Sequence, residues 1–208
     1  MHAVRPPIDP AALFGQMDIY LLDQLLRGRI APGTTLLDAG SGLGRNLAFF
    51  LGQGYQVQAF EPDAGAIAAV RALAARLAPR LPAANFRQEA AESNTFPDHA
   101  AQVVISSAVL HFARDESHFD AMLRGTWRLV SPGGMLFCRL ASTIGMESRF
   151  TPLGGRRFRL PGGPDWFLVD EAFLLDLTAQ LGGRLLDPLK TTVVQNQRSM
   201  TTWVLRKD

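Results

Sequence analysis

The sequence predicts an α/β fold in which helices cover both faces of a doubly wound, mostly parallel sheet. Short apolar runs typical of buried strands alternate with segments whose apolar residues recur at helical spacing, and five such strand–helix units follow one another. Alternation of this kind requires a parallel sheet covered on both faces. Hydrophobic residues make up 47% of the chain and charged residues 19%, which is an ordinary globular balance.

The first half of the chain supplies the leading elements. Leu13, Met17 and Leu21 begin a helical pattern that predicts a helix over residues 13–28. Apolar helical faces that include Phe50 and Val70 separate the strands that follow. We expect these strands at about 34–39, 56–61 and 85–90.

The second half continues the alternation and then departs from it. The β-branched run at 103–107 predicts a buried strand, and residues 115–130 predict a helix. Pro132-Gly133-Gly134 ends that helix and leads into a fifth strand at 135–140. After a helix around 170–181, two apolar stretches at about 184–194 and 199–206 favour an antiparallel hairpin.

A glycine-rich turn follows the first predicted strand. Its spacing is Gly40-x-Gly42-x-Gly44, and Arg45 stands where the dinucleotide fingerprint G-x-G-x-x-G has its third glycine. Glycines at such a turn let a ligand approach the backbone closely. A tight strand–helix turn without a ligand is the alternative. The flanking acidic residues favour a nucleotide site.

Two carboxylates flank this turn. Asp38 at the tip of the first strand would repel a pyrophosphate but attract the amine of a methionine moiety. Glu61 at the end of the second strand is suited to ribose hydroxyls, and Pro62 with Asp63 would border an adenine. Asp38 as a helix cap and Glu61 as a solvated strand end are the simpler alternatives. S-adenosylmethionine meets all of these requirements.

At these residues the chain resembles the class I S-adenosylmethionine-dependent methyltransferases, and most of all their small tellurite-resistance-type branch. The resemblance implies a Rossmann-like, seven-stranded sheet with a C-terminal antiparallel hairpin strand. It also implies S-adenosylmethionine as cofactor, S-adenosylhomocysteine as product and a small-molecule methyl acceptor. The segments that carry it are Gly44-Arg45-Asn46, Gly54 to Val57, Val104 to Phe112, Pro132-Gly133-Gly134 and Arg198 to Leu205.

We expect one domain over residues 1–208, because this length is enough for one core. An N-terminal helical segment (1–31) precedes the core (32–142). The Gly-, Pro- and Arg-rich stretch at 143–168 has no clear period and is expected to be a substrate-side loop. Residues 169–208 would form the C-terminal helix and hairpin.

The expected cofactor site extends beyond the glycine turn. The resemblance places an acidic side chain and the next residue at the end of the third strand, where we prefer Glu89 with Ala90 and keep Glu92 as the alternative. Arg45 would reach the methionine carboxylate or pair with a surface acid. The cofactor-binding residues expected are Asp38, Gly40, Ser41, Gly42, Gly44, Arg45, Asn46, Glu61, Pro62, Asp63, Glu89, Ala90, Ser106 and Ser107.

Catalysis of methyl transfer can rest on positioning, so catalytic residues can be inconspicuous. His111, just after the fourth strand, is the candidate to orient the acceptor or remove its proton near neutral pH. Packing beneath a helix is its alternative role. In similar enzymes the N-terminal helix and the segment after the fifth strand flank the cleft, which makes Phe14, Tyr20, Arg139, Arg149 and Trp166 the substrate-side candidates.

Composition narrows the partners and the compartment. The formal net charge is +2 and the basic residues are dispersed, so nucleic acid is not implied. Cys138 is the only cysteine, and His2, His99 and His118 show no metal-ligand spacing, so no metal is expected. No apolar run approaches the roughly 20 residues of a membrane helix, and no secretory leader is evident. We therefore expect a cytoplasmic protein without a membrane partner, and the sequence does not specify its oligomeric state.

Three other functions compete with a small-molecule methyltransferase. One is a catalytically silent domain that binds S-adenosylmethionine. Another is a nicotinamide-dinucleotide oxidoreductase, which Arg45 and the expected terminal hairpin disfavour. The third is a nucleic-acid methyltransferase, which is disfavoured because no RNA-binding module or base-flipping motif is evident.

Overall fold

The structure, a computed structural model, describes residues 9–208, so residues 1–8 of the predicted N-terminal segment, including His2, lie outside it. The helices are α1 (Pro10–Phe14), α2 (Ile19–Leu26), α3 (Ala48–Gly52), α4 (Ala64–Leu77), α5 (Glu116–Trp127) and α6 (Glu171–Gln180). The strands are β1 (Thr35–Ala39), β2 (Gln56–Phe60), β3 (Phe86–Arg87), β4 (Ala101–Ser107), β5 (Val130–Ala141), β6 (Thr151–Gly154), β7 (Arg157–Arg159), β8 (Asp165–Phe167), β9 (Gly183–Leu185), β10 (Lys190–Val194) and β11 (Arg198–Lys207). Short 3-10 turns lie at Ala83–Asn85, Ala91–Ser93 and Leu110–Phe112.

The central sheet has the strand order β10-β11-β5-β4-β1-β2-β3. Strands β1 to β5 pair in parallel. Strand β11 runs antiparallel to β5 and to β10, and β9 pairs with its end. The predicted mostly parallel sheet and the C-terminal antiparallel strand are confirmed, and β9 adds one short strand to the seven expected.

Helices pack on both faces of this sheet. Leu21 of α2, Phe50 of α3 and Val70 of α4 belong to one buried cluster, while Phe119 of α5 and Leu174 of α6 belong to the other. Burying each such side chain contributes about 1.5–3 kcal/mol relative to exposure. The two layers hold the carboxyl ends of the parallel strands at one edge. Within residues 9–208, no helix combines the length and apolarity needed to cross a membrane.

The single helix predicted at 13–28 is wrong, because the chain forms α1 and α2 there. Gly15, at φ +57°, ends α1. Asp18 then begins α2, since its Oδ1 accepts a hydrogen bond from the Tyr20 N–H at 3.0 Å. The apolar spacing continues through this break, so periodicity alone did not reveal it.

Two further expectations need correction. Strand β3 covers only Phe86–Arg87, because the chain leaves the sheet before residue 90. The segment at 143–168, expected to be an irregular loop, contains the antiparallel sheet β6-β7-β8. Phe150, Leu160 and Leu168 of this segment form a small buried cluster with Met200. Its strands are too short to give a period in the sequence.

Candidate active site

A cavity of about 670 Å³ opens where the carboxyl ends of β1, β2 and β4 meet. This volume is typical of a site for a small ligand. Ser107 lines it, whereas Ser106 is buried and does not, because successive strand residues point to opposite faces. The other predicted residues that line it are Gly40, Ser41, Gly42, Arg45, Asn46, Glu61, Pro62 and Ala90.

The three glycines of the turn serve different purposes. All have positive φ, of +82°, +52° and +81° in order. A Cβ at Gly40 would lie 2.7 Å from Val109 Cγ2, and a Cβ at Gly44 would lie 3.2 Å from Val70 Cγ2. Gly44 therefore packs against α4 and does not line the cavity, contrary to its expected cofactor contact. Gly42 has open space in front of it and leaves its backbone accessible from the cavity.

Glu61 joins this turn to the end of β2. Its Oε2 accepts a hydrogen bond from the Gly42 N–H at 2.9 Å, and its Oε1 accepts one from the Asp63 N–H at 3.1 Å. Asp63 does not line the cavity, because its Oδ1 caps α4 by accepting from the Ala66 N–H at 2.7 Å. Glu61 thus presents a fixed carboxylate to the cavity, and Asp63 has a helix-capping role.

Asp38 lies beneath the turn and does not reach the cavity lining. It is 1% exposed, and its Oδ2 has no hydrogen-bond partner. Burial raises its pKa to about 7, a shift that Arg45 opposes and Glu61 increases. A positive charge bound nearby would favour the ionised carboxylate. Asp38 therefore lies behind the cavity lining instead of making the direct ligand contact expected from the sequence.

Asp18, which the sequence analysis missed, contacts several predicted site residues. Its Oδ2 accepts hydrogen bonds from Arg139 Nη1 at 3.0 Å and Ser107 Oγ at 3.2 Å. Arg45 Nη2 lies 3.6 Å from the same oxygen. The Asp18 N–H also donates to Asn46 Oδ1 at 3.0 Å. Helix-cap preference could have identified Asp18 at the start of α2, but its partners lie too far along the chain for a local pattern to reveal them.

Two of the substrate-side candidates adjoin this cluster. The Arg139 guanidinium carbon is 5.3 Å from the centroid of the Tyr20 ring, and the Tyr20 hydroxyl lies 2.6 Å from Thr192 Oγ1. Neither residue lines the cavity. Asp18 and Ser107 connect this pair of residues to the cavity. Ser107 lies in the cavity lining, and both Ser107 and Arg139 bind the Asp18 carboxylate.

The far end of the cavity contains Glu92 rather than Glu89. Glu89 accepts hydrogen bonds from the Thr95 N–H at 2.8 Å and from the Thr95 hydroxyl, which turn it away from the lining. Glu92 lines the cavity, with its Oε1 3.1 Å from His118 Nε2. His118 and Met122 of α5 also line it, although their helical spacing is equally typical of ordinary surface and core positions.

His111 lies outside the cavity lining. It is 2% exposed, and its Nδ1 accepts a hydrogen bond from the Ala141 N–H at 3.3 Å. Its ring centroid is 4.3 Å from that of Trp166. Burial lowers its pKa to about 4. This geometry corresponds to the packed histidine and does not support the acid–base role expected from the sequence.

The remaining substrate-side candidates also lie away from the cavity. Phe14 stacks on Phe49 with ring centroids 5.1 Å apart, so it packs α1 onto α3. Trp166 of β8 covers His111, and Arg149 is exposed. None of these three candidates lines the cavity, and the packing between elements explains both aromatic residues.

Together these groups suit a nucleoside that carries both positive and negative charge. Glu61 offers a carboxylate beside an accessible backbone, Asp38 adds a buried acidic group, and Arg45 adds a guanidinium at the lining. Hydrogen bonds to such charged groups are stronger than those between neutral groups. Across residues 9–208, no group of three or more His, Cys, Asp or Glu side chains is placed to hold a metal ion.

Comparison with protein families gives one match, in which residues 37–138 fit the family described as a methyltransferase domain. This segment includes the glycine turn, Glu61 and Ser107. A search of curated proteins gives no significant match.

Several solved structures share the fold. A S-adenosylmethionine-dependent methyltransferase from Methanosarcina mazei has a TM-score of 0.67 and 18% identity, covering 88% of this chain and 96% of that one. A magnesium protoporphyrin IX methyltransferase from Synechocystis, with bound S-adenosylmethionine, has a TM-score of 0.67 and 14% identity, covering 91% and 77%. A 1,6-didemethyltoxoflavin-N1-methyltransferase from Burkholderia thailandensis, bound to its acceptor and S-adenosylhomocysteine, has a TM-score of 0.64 and 17% identity, covering 99% and 93%.

At these identities the structural likeness establishes the fold alone. The family match adds the methyltransferase domain over residues 37–138. Together the two findings support the class I S-adenosylmethionine-dependent methyltransferase superfamily, with S-adenosylmethionine as the cofactor.

Proposed function

We propose that this chain, with its methyltransferase domain, transfers a methyl group from S-adenosylmethionine to a small-molecule acceptor. One observation carries the proposal: the Glu61 carboxylate faces a cavity of about 670 Å³ beside the accessible backbone of Gly42. A carboxylate at the tip of β2 suits the two hydroxyls of a ribose, which both donate hydrogen bonds.

The residues present fit the cofactor group by group. Glu61 would accept hydrogen bonds from the ribose hydroxyls, and Arg45 would pair with the methionine carboxylate. Asp38, with its unpartnered buried oxygen, would stabilise the positively charged amine and sulfonium. Ala90 and Glu92 would border the adenine at the far end.

Methyl transfer does not require the protein to form a covalent bond to the substrate. S-adenosylmethionine supplies a methyl group on a positively charged sulfur, and an acceptor lone pair displaces that sulfur, which keeps the electron pair of the broken bond. The chain's task is to orient the acceptor and exclude water, which can lower a barrier by roughly 7–11 kcal/mol. Among the described residues, His118 is the only histidine that lines the cavity. This lining is compatible with an acceptor that reacts through its own lone pair and needs no base.

The finer assignment, to the small tellurite-resistance-type branch, is part of the proposal. It is supported by the sequence echoes at Gly44-Arg45-Asn46 and Arg198 to Leu205. It favours an acceptor with an exposed lone pair, such as a thiol, a carboxylate or an oxyanion.

A catalytically silent domain that binds the same cofactor is the second candidate. The position of His111 outside the cavity favours it, because the acid–base residue expected from the sequence does not reach the site.

The test begins with calorimetric titration by S-adenosylmethionine, S-adenosylhomocysteine and NAD. A screen of selenite, tellurite, thiols and small carboxylates follows, with S-adenosylhomocysteine formation as the readout. We expect both nucleosides to bind, NAD not to compete, and one acceptor class to give product. Binding without turnover on any acceptor would support the silent domain, and NAD binding at the cavity would overturn the proposal.

A further inference from the structure

A histidine and a glutamate meet at the far end of the cavity. His118 of α5 and Glu92, in the 3-10 turn after β3, both line the cavity, and His118 Nε2 lies 3.1 Å from Glu92 Oε1. Their side chains are 13% and 30% exposed, respectively. A ligand in the cavity can therefore reach this pair.

Both ring nitrogens of His118 have a defined partner. Nδ1 accepts a hydrogen bond from the Arg114 N–H at 3.1 Å, so the ring proton lies on Nε2 and is donated to Glu92. The His118 N–H donates to Asp115 Oδ1 at 2.8 Å, which fixes the residue in the first turn of α5. Because both nitrogens are occupied in this way, the geometry gives His118 a hold on Glu92 rather than a general-base role.

The turn that carries Glu92 is fixed against α5. Gly125 of α5 lies so close to it that a Cβ there would collide with the Ala91 backbone oxygen. Asn94 Nδ2 donates to that same oxygen at 2.8 Å and to the Gly125 oxygen at 3.1 Å. These contacts place the backbone of Glu92, and the His118 hydrogen bond then fixes the direction of its carboxylate.

The Glu92 carboxylate is ionised near neutral pH. Burial acts to raise its pKa, but a hydrogen bond with its own backbone, the His118 hydrogen bond and the nearby Arg114 charge together hold the pKa below its ordinary value of 4.5. His118 binds Oε1, and each oxygen of a carboxylate can accept more than one hydrogen bond. The carboxylate can therefore accept a further hydrogen bond from a ligand.

The position of Glu92 indicates which part of the cofactor it would meet. The sheet order runs from β1 through β2 to β3, so Glu92 lies beyond Glu61, to which we assign the ribose. The base of a nucleoside would extend in that direction. Phe60, Pro62 and Met122 also line the cavity and offer apolar surface to a planar ring.

The charge of Glu92 indicates which base would bind there. Adenine carries an amino group at position 6, which donates hydrogen bonds, whereas a 6-oxo purine carries a carbonyl oxygen, which accepts them. A carboxylate accepts from the amino group and repels the carbonyl oxygen. A fixed carboxylate at this place therefore favours adenine.

We propose that His118 is a positioning residue that fixes the Glu92 carboxylate to accept a hydrogen bond from the 6-amino group of the adenosyl cofactor. The pair thereby makes the site selective for adenine over a 6-oxo purine. This inference rests on the proposed function and specifies how its cofactor is selected. His118 acts through Glu92 and takes no part in methyl transfer.

The test compares the affinities for S-adenosylhomocysteine and for its deaminated counterpart, S-inosylhomocysteine, by calorimetric titration. We expect the unmodified protein to favour the adenosyl compound about 30-fold. His118→Asn keeps an acceptor for the Arg114 N–H but loses the donor that reaches Glu92, so the preference should fall to about threefold. His118→Gln keeps a donor near the position of Nε2 and should restore a preference of about tenfold or more.

Glu92→Gln and His99→Asn provide the two controls. The amide of Glu92→Gln can donate to a 6-oxo group as well as accept from an amino group, so the two compounds should bind within about threefold of each other. His99 lies outside the cavity lining, where its Nδ1 is 3.0 Å from the Val130 oxygen. Asparagine tolerates the φ of +59° at this position, so His99→Asn should leave both affinities unchanged.

The outcomes separate this inference from the proposed function. Loss of the preference in His118→Asn with rescue in His118→Gln supports a positioning role, because a merely structural change would weaken both compounds alike. The inference is overturned if the unmodified protein binds both compounds equally, if His118→Asn or Glu92→Gln keeps the full preference, or if His118→Gln does not restore it. Failure of S-adenosylhomocysteine to bind the unmodified protein would instead overturn the proposed function.

Discussion

The two halves of the cavity edge are built in different ways. The cofactor half lies within residues 38–61, where a glycine turn and one carboxylate act together through the backbone. The second half is a polar cluster beside the lining, in which Ser107 of β4 and Arg139 of β5 bind the carboxylate of Asp18, the residue that begins α2. The first half is local in sequence and the second is assembled only by the fold.

The two halves also differ in how they treat buried charge. Asp18 is compensated, because Arg139 and Ser107 donate hydrogen bonds to its carboxylate. Asp38 has an unpartnered oxygen and a pKa raised by burial to about 7. A buried carboxyl without a partner costs stability, and such a cost is typical of functional sites. The two carboxyl groups therefore differ in their compensation, because guanidinium and hydroxyl groups of the protein pair with Asp18 and leave one oxygen of Asp38 without a partner.

Substitution of the turn glycines gives the largest expected effect. Gly40→Ala should lower the free energy of unfolding by about 3 kcal/mol, because its Cβ would meet Val109 at a positive φ. Gly42→Ala should cost only about 1 kcal/mol, since its Cβ meets open space. It should nevertheless weaken S-adenosylhomocysteine binding at least about tenfold, because that space belongs to the cavity.

Urea unfolding and calorimetric titration of both variants measure this difference. Equal loss of stability in the two variants, or full retention of binding in Gly42→Ala, would contradict the role given to each glycine.

Glu61→Gln tests the carboxylate of the cofactor half. The amide keeps the size of the side chain but loses the charge that strengthens its hydrogen bonds, so S-adenosylhomocysteine should bind about 30-fold more weakly. Glu147→Gln is a matched control, because Glu147 also accepts from a glycine N–H, that of Gly145, at 2.8 Å and lies outside the cavity lining. The affinity of the Glu147→Gln variant for S-adenosylhomocysteine should not change. Equal loss of affinity in the two variants would show that the Glu61 carboxylate does not bind the nucleoside.

Asp38→Asn tests the uncompensated charge through its pH dependence. The pKa of this carboxyl in the folded protein, about 7, lies above its ordinary value of 3.8. Its contribution to stability is therefore complete below pH 3.8 and is lost as the pH rises through 7. Asparagine does not titrate, so between pH 4.5 and pH 8 the variant should gain stability relative to the unmodified protein, by about 3 kcal/mol.

Denaturant unfolding of both proteins without ligand, at the two pH values, makes the measurement. If the stability difference between the two proteins is the same at pH 4.5 and pH 8, Asp38 does not carry the proposed charge.

His111→Phe gives the smallest expected effect and tests whether this residue belongs to either half. Its folded pKa of about 4 lies below the ordinary 6.5, so its stabilising contribution is present above pH 6.5 and is lost as the pH falls toward 4. The variant should lack this loss, which is about 1–2 kcal/mol at pH 5. Its turnover at neutral pH should remain within about threefold of the unmodified value, because the ring packs against Trp166 outside the cavity.

Activity profiles and unfolding at pH 7 and pH 5 provide both readouts. A large fall in kcat with unchanged affinity for S-adenosylhomocysteine would restore His111 as an acid–base residue.

The sequence could predict the cofactor half because its polar groups and glycines lie close together along the chain. Gly40 to Arg45 follow a buried strand, and Glu61 ends the next one, so strand alternation alone brings them together. Glu89 illustrates the limit of this reasoning. Its position near the end of β3 is as expected, but Thr95 holds its carboxylate away and Glu92 takes its place at the lining.

The polar cluster of Asp18, Ser107 and Arg139 could not be predicted in the same way. Asp18 contacts Ser107 and Arg139, and these contacts depend on strand order and on the break between α1 and α2. The sequence left two roles open for His111, because a histidine after β4 can point toward the cavity or into the core, and its packing against Trp166 becomes visible only in the fold. Long-range packing of this kind leaves no local pattern.

A crystal structure with S-adenosylhomocysteine tests the central claim most directly, namely that Glu61 and the Gly40–Gly44 turn hold an adenosyl group. We expect both ribose hydroxyls within hydrogen-bond distance of the Glu61 carboxylate and the nucleoside against the Gly42 backbone. A turn that stays free of the nucleoside at saturating concentration, or that binds a diphosphate in its place, would contradict it.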